Sequence, residues 1–406
     1  MLSFESENER VAFGDWKMQA QRPTWAEINL EALAANFRAV RRIVGPGVNI
    51  LSVVKAEAYG HGAVVCARRL AAEGSDWFGV ALPEEGINLR LSDIRNPILC
   101  LGGFWEGQAA LCIKYGLVPV VYRLDMAEAI DRAARDAGVV ADVHVKVDTG
   151  MGRLGVRYDE AAEFADALRR FKNVRVDGLM THFAAADDPA LREFTDTQRG
   201  RYLAAVETFR GRGHSLTYED MANSAATYSL PETRRNMVRA GAILYGMWRD
   251  VLLPTPGPPP LRPVMTLCSH ICLLKRVPAG ETLGYSCSYR VERETLVATL
   301  PVGYKDGFQR GLSNCGRVIV RGCYAPVVGR VSMDLTLVDV TDVPGVALND
   351  RVTLIGQDGP LAVSAEEFAL RAGTISYDVL CAVSERVPRV YITAQSHPDV
   401  VSTFVC

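Results

Sequence analysis

Lys55 ends an apolar run, Asn49-Ile-Leu-Ser-Val-Val-Lys55, and is followed at once by Ala-Glu-Ala-Tyr59-Gly60-His61-Gly62. Residues 50–54 are aliphatic on both faces of a period-2 pattern, which reads as a parallel strand buried on both sides. Such a strand delivers Lys55 to the C-terminal edge of a sheet, where βα loops carry chemistry. An amine held beside apolar walls loses solvation, its pKa falls toward neutrality, and it can attack a carbonyl to form a Schiff base. The competing reading is a strand-end lysine pointing into water.

Other reactive groups sit at comparable places. Lys146-Val-Asp-Thr-Gly-Met-Gly-Arg153 ends a strand in a glycine-rich turn that lets backbone approach a ligand and aims Arg153 inward. His182 ends Gly178-Leu-Met-Thr-His, Asn223 and Ser224 end another run, and Arg239-Ala-Gly241-Ala242 sits on the last. Each has a dull alternative: a surface arginine, a satisfied strand-end histidine, a helix-capping Asn-Ser pair, a glycine turn. A lysine, two arginines, a histidine and glycine turns at successive strand ends are improbable together, and they converge on one rim. A lysine for an electron-sink aldehyde, glycines and hydroxyls for a phosphate, and an arginine for a pyridine nitrogen together describe pyridoxal 5'-phosphate.

The elements that must position these groups change in character near residue 255. Before it, short β-rich runs alternate with amphipathic stretches: 50–54, 77–82, 97–101, 118–122, 143–147, 174–180, a weaker 216–220, and 237–244. Between them lie helical patterns such as the run from Asn29 to Arg42 and that from Asp159 to Arg170, with apolar residues at three- and four-residue steps. Eight such repeats predict an α/β fold, a closed (β/α)8 TIM-type barrel over 22–255 in preference to an open doubly wound sheet. A proline-rich hinge, Leu253 to Pro263, marks a boundary. Residues 256–406, with a small contribution from the N-terminal segment, read as a mostly β domain with strands at 264–277, 295–302, 317–320, 326–331, 336–340 and 351–355. Residues 1–21 match neither pattern and read as a loosely held arm.

The length suits two domains with ample apolar surface, and a formal charge of -2 with no basic stripe argues against nucleic acid and anionic membranes as partners. The polar, acidic N-terminus does not resemble a signal peptide and no stretch is long and apolar enough to span a bilayer, so a cytoplasmic protein with a small ligand is expected. The ten cysteines show no C-x-x-C pair. The cluster Cys268-Ser-His270-Ile-Cys272 reads as one face of a strand, since alternating residues cannot alone wrap a tetrahedral ion, and no metal is expected.

The quoted residues resemble those of the alanine racemase family of fold-type III pyridoxal-phosphate enzymes. The resemblance runs from about Arg22 to Tyr391. It includes Val-Val-Lys55-Ala-Glu-Ala-Tyr59-Gly-His-Gly, Asp148-Thr-Gly-Met-Gly-Arg153-Leu-Gly, Thr181-His182-Phe, Ala222-Asn223-Ser224-Ala and Val238-Arg239-Ala-Gly241. In the second domain it includes Gly284-Tyr285, Pro301-Val-Gly-Tyr304-Lys-Asp306-Gly, Gly329-Arg-Val-Ser332-Met333-Asp334 and Thr374-Ile-Ser-Tyr377-Asp.

The resemblance implies that Lys55 holds the cofactor and serves one face of the substrate α-carbon while Tyr285 serves the other, as inversion requires. A phenol with a pKa of about 10 is a poor base at pH 7 unless positive charge favours its phenolate. His182, hydrogen-bonded between Tyr285 and Arg239, is the implied source of that bias, with Arg153 close by. The family's arginine, here Arg239, contacts the pyridine nitrogen and cannot readily protonate it, which leaves a weak electron sink and favours racemisation over transamination. Tyr59, Ser224, Tyr377 and the amides of Gly241 and Ala242 match phosphate-holding positions, with Asn223 beside them. Arg153 and the backbone of Met333 would hold the substrate carboxylate, and Lys146 matches a position that is a carbamate in some relatives. Because Tyr285 and Met333 lie in the β domain, each site would be completed by a second chain in a head-to-tail homodimer.

Tyr377 would crowd the space beyond the substrate β-carbon, which favours alanine. Glu57, Ser376 and Leu335 depart from the family pattern and leave serine or a broader range open. The rival functions are a fold-related amino-acid decarboxylase, a non-enzymatic cofactor-binding protein and a cofactor-free lysine aldolase. Whether the enzyme serves peptidoglycan precursor synthesis or D-amino-acid breakdown is left open.

Overall fold

A computed structural model describes residues 22–253 and 259–393; the expected N-terminal arm and the middle of the proline-rich hinge lie outside them. Strand β1 (Thr24–Asn29) leads into helix α1 (Leu30–Val44), whose N-cap Asn29 accepts the Ala32 amide at 2.8 Å. Eight parallel strands follow: β2 (Asn49–Val53), β3 (Trp77–Val80), β4 (Ile98–Cys100), β5 (Val118–Val121), β6 (Ala141–Asp148), β7 (Val174–Met180), β8 (Tyr218–Ala222) and β9 (Met237–Ala240). The ring closes because β9 pairs with β2 and β5 with β6, so no strand edge is left in it. The strand expected at 237–244 stops at Ala240, where Gly241 leaves the extended region and residues Ala242–Tyr245 coil into a 3-10 turn.

The barrel interior is packed. His144 is fully buried between Trp77 and Tyr218, with ring centroids 5.6 and 5.7 Å away. It occupies the space a side chain on Gly178 would need, since a Cβ there would lie 2.5 Å from the imidazole. Burial lowers its pKa to about 3, so the ring is a neutral filler.

The second domain takes strands from both ends of the described chain. β1 runs antiparallel to β10 (Met265–His270) and parallel to Arg389–Ile392. The single strand expected over 264–277 is therefore two, because the chain turns at Ile271 and Cys272 and Leu273–Val277 joins a different sheet with Thr295–Leu300 and Thr336–Asp339. Cys268 and His270 stay in β10 while Cys272 falls outside it. The strand expected at 326–331 lies earlier, at Cys323–Pro326, since Pro326 has no amide to continue the ladder and Gly329 turns the chain at φ 76°.

Polar side chains lock the domains together. Arg389 donates from Nε and Nη2 to the Gly60 carbonyl at 3.0 and 2.9 Å. Ser376 donates its amide and its hydroxyl to the two oxygens of Asp250, both at 2.8 Å, at the start of the helix Ser376–Cys381 that carries Tyr377. Buried Asn36 of α1 holds Leu244 O, Arg262 O and the Arg262 amide at 2.8 to 2.9 Å, tying the barrel's last turn to the linker. Among the described residues no helix is long and apolar enough to cross a membrane.

Candidate active site

The C-terminal ends of the strands open on a cavity of about 360 Å³. Lys55, Tyr59, Lys146, Arg153, His182, Asn223, Ser224, Arg239, Gly241, Ala242 and Tyr377 all line it. Tyr285 and Met333 do not: on their own chain they are 70 % and 52 % exposed, Tyr285 in a 3-10 turn held between the paired segments Thr282–Leu283 and Tyr289–Arg290.

The segment after Lys55 has an unexpected backbone. Ala56, Glu57, Ala58 and Tyr59 all have φ between 51° and 55°, a full left-handed turn without glycine. Left-handed backbone costs L-residues roughly 1–2 kcal/mol each, so the surroundings must impose it. Glu85 accepts the Ala56 amide at 2.7 Å and also the Ala81 and Leu82 amides, Glu57 accepts the Ala63 amide at 3.1 Å, and His61 Nδ1 bonds Ala58 O at 2.8 Å. The turn brings the Tyr59 ring to 6.0 Å from that of Tyr377, and Gly241 must be glycine there because a Cβ would lie 2.6 Å from the Tyr59 hydroxyl.

Burial lowers the Lys55 pKa, aided by Arg153 and Arg239 and opposed by Glu85 and Cys381. Lys146 falls to about 8 through burial, then Arg239 and Arg153. His182 lies well below 6.5 for the same reasons, burial first and Arg239 second, so it is neutral at pH 7. Arg239 donates from Nη2 to Nδ1 of His182 at 3.1 Å and to Thr181 O at 2.8 Å, while Nη1 meets the carboxylate of buried Asp220. Arg153 has no carboxylate partner among the described residues, and Asp148 builds the turn before it by accepting the Gly150 and Gly152 amides at 2.9 and 3.1 Å.

These groups suit pyridoxal phosphate. The hydroxyls of Tyr59 and Tyr377 face the cavity with no protein partner among the described residues, beside Ser224 and the first amides of the turn at Ala242, which is a donor set for a dianion. The Gly241 amide differs from expectation in that it is taken up by Ser224 Oγ at 2.9 Å. Asn223 caps its helix by accepting the Ala226 amide at 3.0 Å while its side chain also reaches the cavity wall. The excess of cations around Lys55, and the lysine's lowered pKa, fit a phosphorylated aldehyde.

Two family patterns cover this architecture: alanine racemase, N-terminal domain, over residues 28–248, and alanine racemase, C-terminal domain, over 264–391. The chain belongs to the alanine racemase family. An alanine racemase of Geobacter sulfurreducens is 45% identical over 378 residues, 91% of this chain and 97% of the relative. One of Halothermothrix orenii is 42% identical over 372 residues, with the same coverage. Among solved structures, the alanine racemase of Clostridium difficile 630 superposes with a TM-score of 0.84 at 37% identity, covering 91% of this chain and 96% of that one. That of D-cycloserine-producing Streptomyces lavendulae gives 0.86 at 35% identity, covering 92% and 98%.

Sequence reasoning missed the residues that act through others. Asp220, Glu85 and Asp250 belong to no motif quoted for the site, and only their positions one strand or loop away from Arg239, Lys55 and Tyr377 could have drawn attention to them. Leu101 and Val251, which form apolar wall, were unmarked for the same reason.

Proposed function

We propose that this protein is a pyridoxal-phosphate-dependent alanine racemase, interconverting L- and D-alanine, that works with two bases drawn from two copies of the chain. The observation that carries the reading is the pairing of a cavity complete on one side with a tyrosine stranded outside it: Lys55 has a lowered pKa inside the cavity, and Tyr285 is exposed on the β domain.

Bound through its aldehyde to Lys55, the cofactor would draw electrons from the substrate's Cα–H bond and make that proton removable. Tyr59, Ser224, Tyr377 and the Ala242 amide would hold its phosphate. Arg239 would hold its ring nitrogen, since both terminal guanidinium nitrogens are spent on protein acceptors and Nε has none among the described residues. Lys55 Nζ moves the proton on one face. Tyr285 Oη of the second chain moves it on the other, so that a proton lost from one side is replaced from the opposite side. His182 accepts from Arg239 through Nδ1, so its proton sits on Nε2, where it donates toward the phenol oxygen. Arg153 and the Met333 backbone bind the substrate carboxylate, and a carbamate on Lys146 would neutralise and orient Arg153. Tyr377 and apolar Leu154 leave room for a methyl group, which favours alanine over serine.

The test is incubation with L-alanine and with L-serine in deuterated water. Chiral analysis should report inversion of alanine with one deuteron gained at Cα and slower turnover of serine. Carbon dioxide release or an unexchanged α-proton would sink the assignment.

A further inference from the structure

We propose that Asp220 is a positioning residue for Arg239, holding its guanidinium and offsetting its charge so that the cofactor ring stays a weak electron sink; this rests on the reading of the site as a pyridoxal-phosphate site. Asp220 lies on β8, is wholly buried and does not reach the cavity wall. Its Oδ1 and its backbone carbonyl both accept from Arg239 Nη1, the latter at 3.3 Å. Its amide is fixed by the hydroxyl of Tyr202 at 2.8 Å, which itself donates to Leu179 O at 2.6 Å. The two terminal nitrogens carry four hydrogens and meet five acceptors, Asp220 Oδ1, Asp220 O, Thr181 O, Met221 O and His182 Nδ1. Only Nε–H is left over.

Stability alone does not account for the carboxylate. A buried ion pair is at best a weak stabiliser compared with apolar packing, and Asp220 Oδ2 has no hydrogen-bond partner among the described residues. Of the five acceptors, Oδ1 is the only one that carries a charge. With it, the pair presents the ring with a donor whose positive charge is largely offset. Without it, a full cation faces the ring.

The consequence is a change in where the substrate's α-proton goes. A stronger electron sink spreads the electron pair onto the cofactor, so the proton returns to the cofactor carbon instead of Cα. Water then supplies the oxygen of a keto acid: the amino acid is oxidised, the cofactor aldehyde is reduced to its amine, and no outside oxidant is needed.

The experiment compares wild type with Asp220→Asn, which keeps an acceptor and the shape but removes the charge, and with Asp220→Ser should the first variant fold poorly. Each is first titrated as apo-protein with pyridoxal phosphate, following the visible Schiff-base band. Each holoprotein is then run with L-alanine while pyridoxamine phosphate formed per racemisation event is measured by chromatography. Loss of a charge-assisted bond predicts cofactor binding weakened by about ten- to a hundredfold and at least about a tenfold rise in pyridoxamine phosphate per event. A ratio within about twofold of wild type overturns the proposal whatever the melting temperature does. If wild type itself forms no Schiff-base band with the cofactor, the functional reading falls first.

Discussion

Arg239 and His182 meet through Nη2 and Nδ1 at 3.1 Å, and since a guanidinium can only donate, that contact fixes the imidazole proton on Nε2. Burial, with Arg239, Lys146, Arg153 and Lys55 around it, keeps the ring uncharged far below pH 7. His182 is thus a neutral donor throughout the working range. His182→Leu should lower kcat by about ten- to a hundredfold, because the phenol loses its donor. The acidic limb of the pH–rate profile should survive the substitution, since His182 does not titrate there. A limb that vanishes with His182 would show that the histidine itself changes charge during turnover.

A shared site makes a stricter demand. Lys55→Ala and Tyr285→Phe chains, each inactive alone, should regain up to about a quarter of wild-type activity after mixing and exchange, because half the random dimers are hybrids with one intact site each. Activity that stays at the level of the separate variants, in a mixture shown by mass to contain hybrids, would remove the second chain from the mechanism.

Much of this site is legible in the sequence because a barrel places strand-end residues on one rim whatever the packing. Lys55 and His182 follow, and Arg239 lies within, strands that period-2 and apolar patterning already mark, and their convergence follows from closure. Asp220 is different: as one acidic residue in Tyr-Glu-Asp-Met it reads as an edge of a weak strand, and only the neighbouring strand's Arg239 explains its burial. The left-handed turn at 56–59 is equally hidden. Ala, Glu and Tyr have no preference for that backbone, and the carboxylate of Glu85 that holds it comes from the next βα unit.

That turn separates two small substitutions of opposite sign. Gly60 has φ 83° and its carbonyl is held by Arg389, and a Cβ there would sit 2.2 Å from Leu380 O, backbone of the helix bearing Tyr377. Gly60→Ala should cost at least about 2 kcal/mol. Ala56, exposed and at φ 51°, should tolerate Ala56→Gly with no loss and a gain of up to about 1 kcal/mol, relief of strain exceeding the added chain entropy. Thermal melts of both variants decide it, and destabilisation by Ala56→Gly matching that by Gly60→Ala would mean the turn is not strained.

Lys146 is where pH should report on chemistry. Burial, then Arg239 and Arg153, push its pKa down to about 8, so the folded protein holds fewer protons than the unfolded chain between about pH 8 and the ordinary lysine value, and stability should rise with pH across that window. Carbon dioxide adds only to the uncharged amine, so in ¹³C-bicarbonate a carbamate resonance should grow as pH climbs through about 8. The new anion would sit among Lys55, Arg153 and Arg239, which stabilise it, and Asp220, which opposes it. Lys146→Gln should abolish the resonance. A signal that persists in that variant belongs to another amine, with Lys55 the nearest candidate, and none up to about pH 9 would leave Lys146 as an unmodified amine beside Asp220.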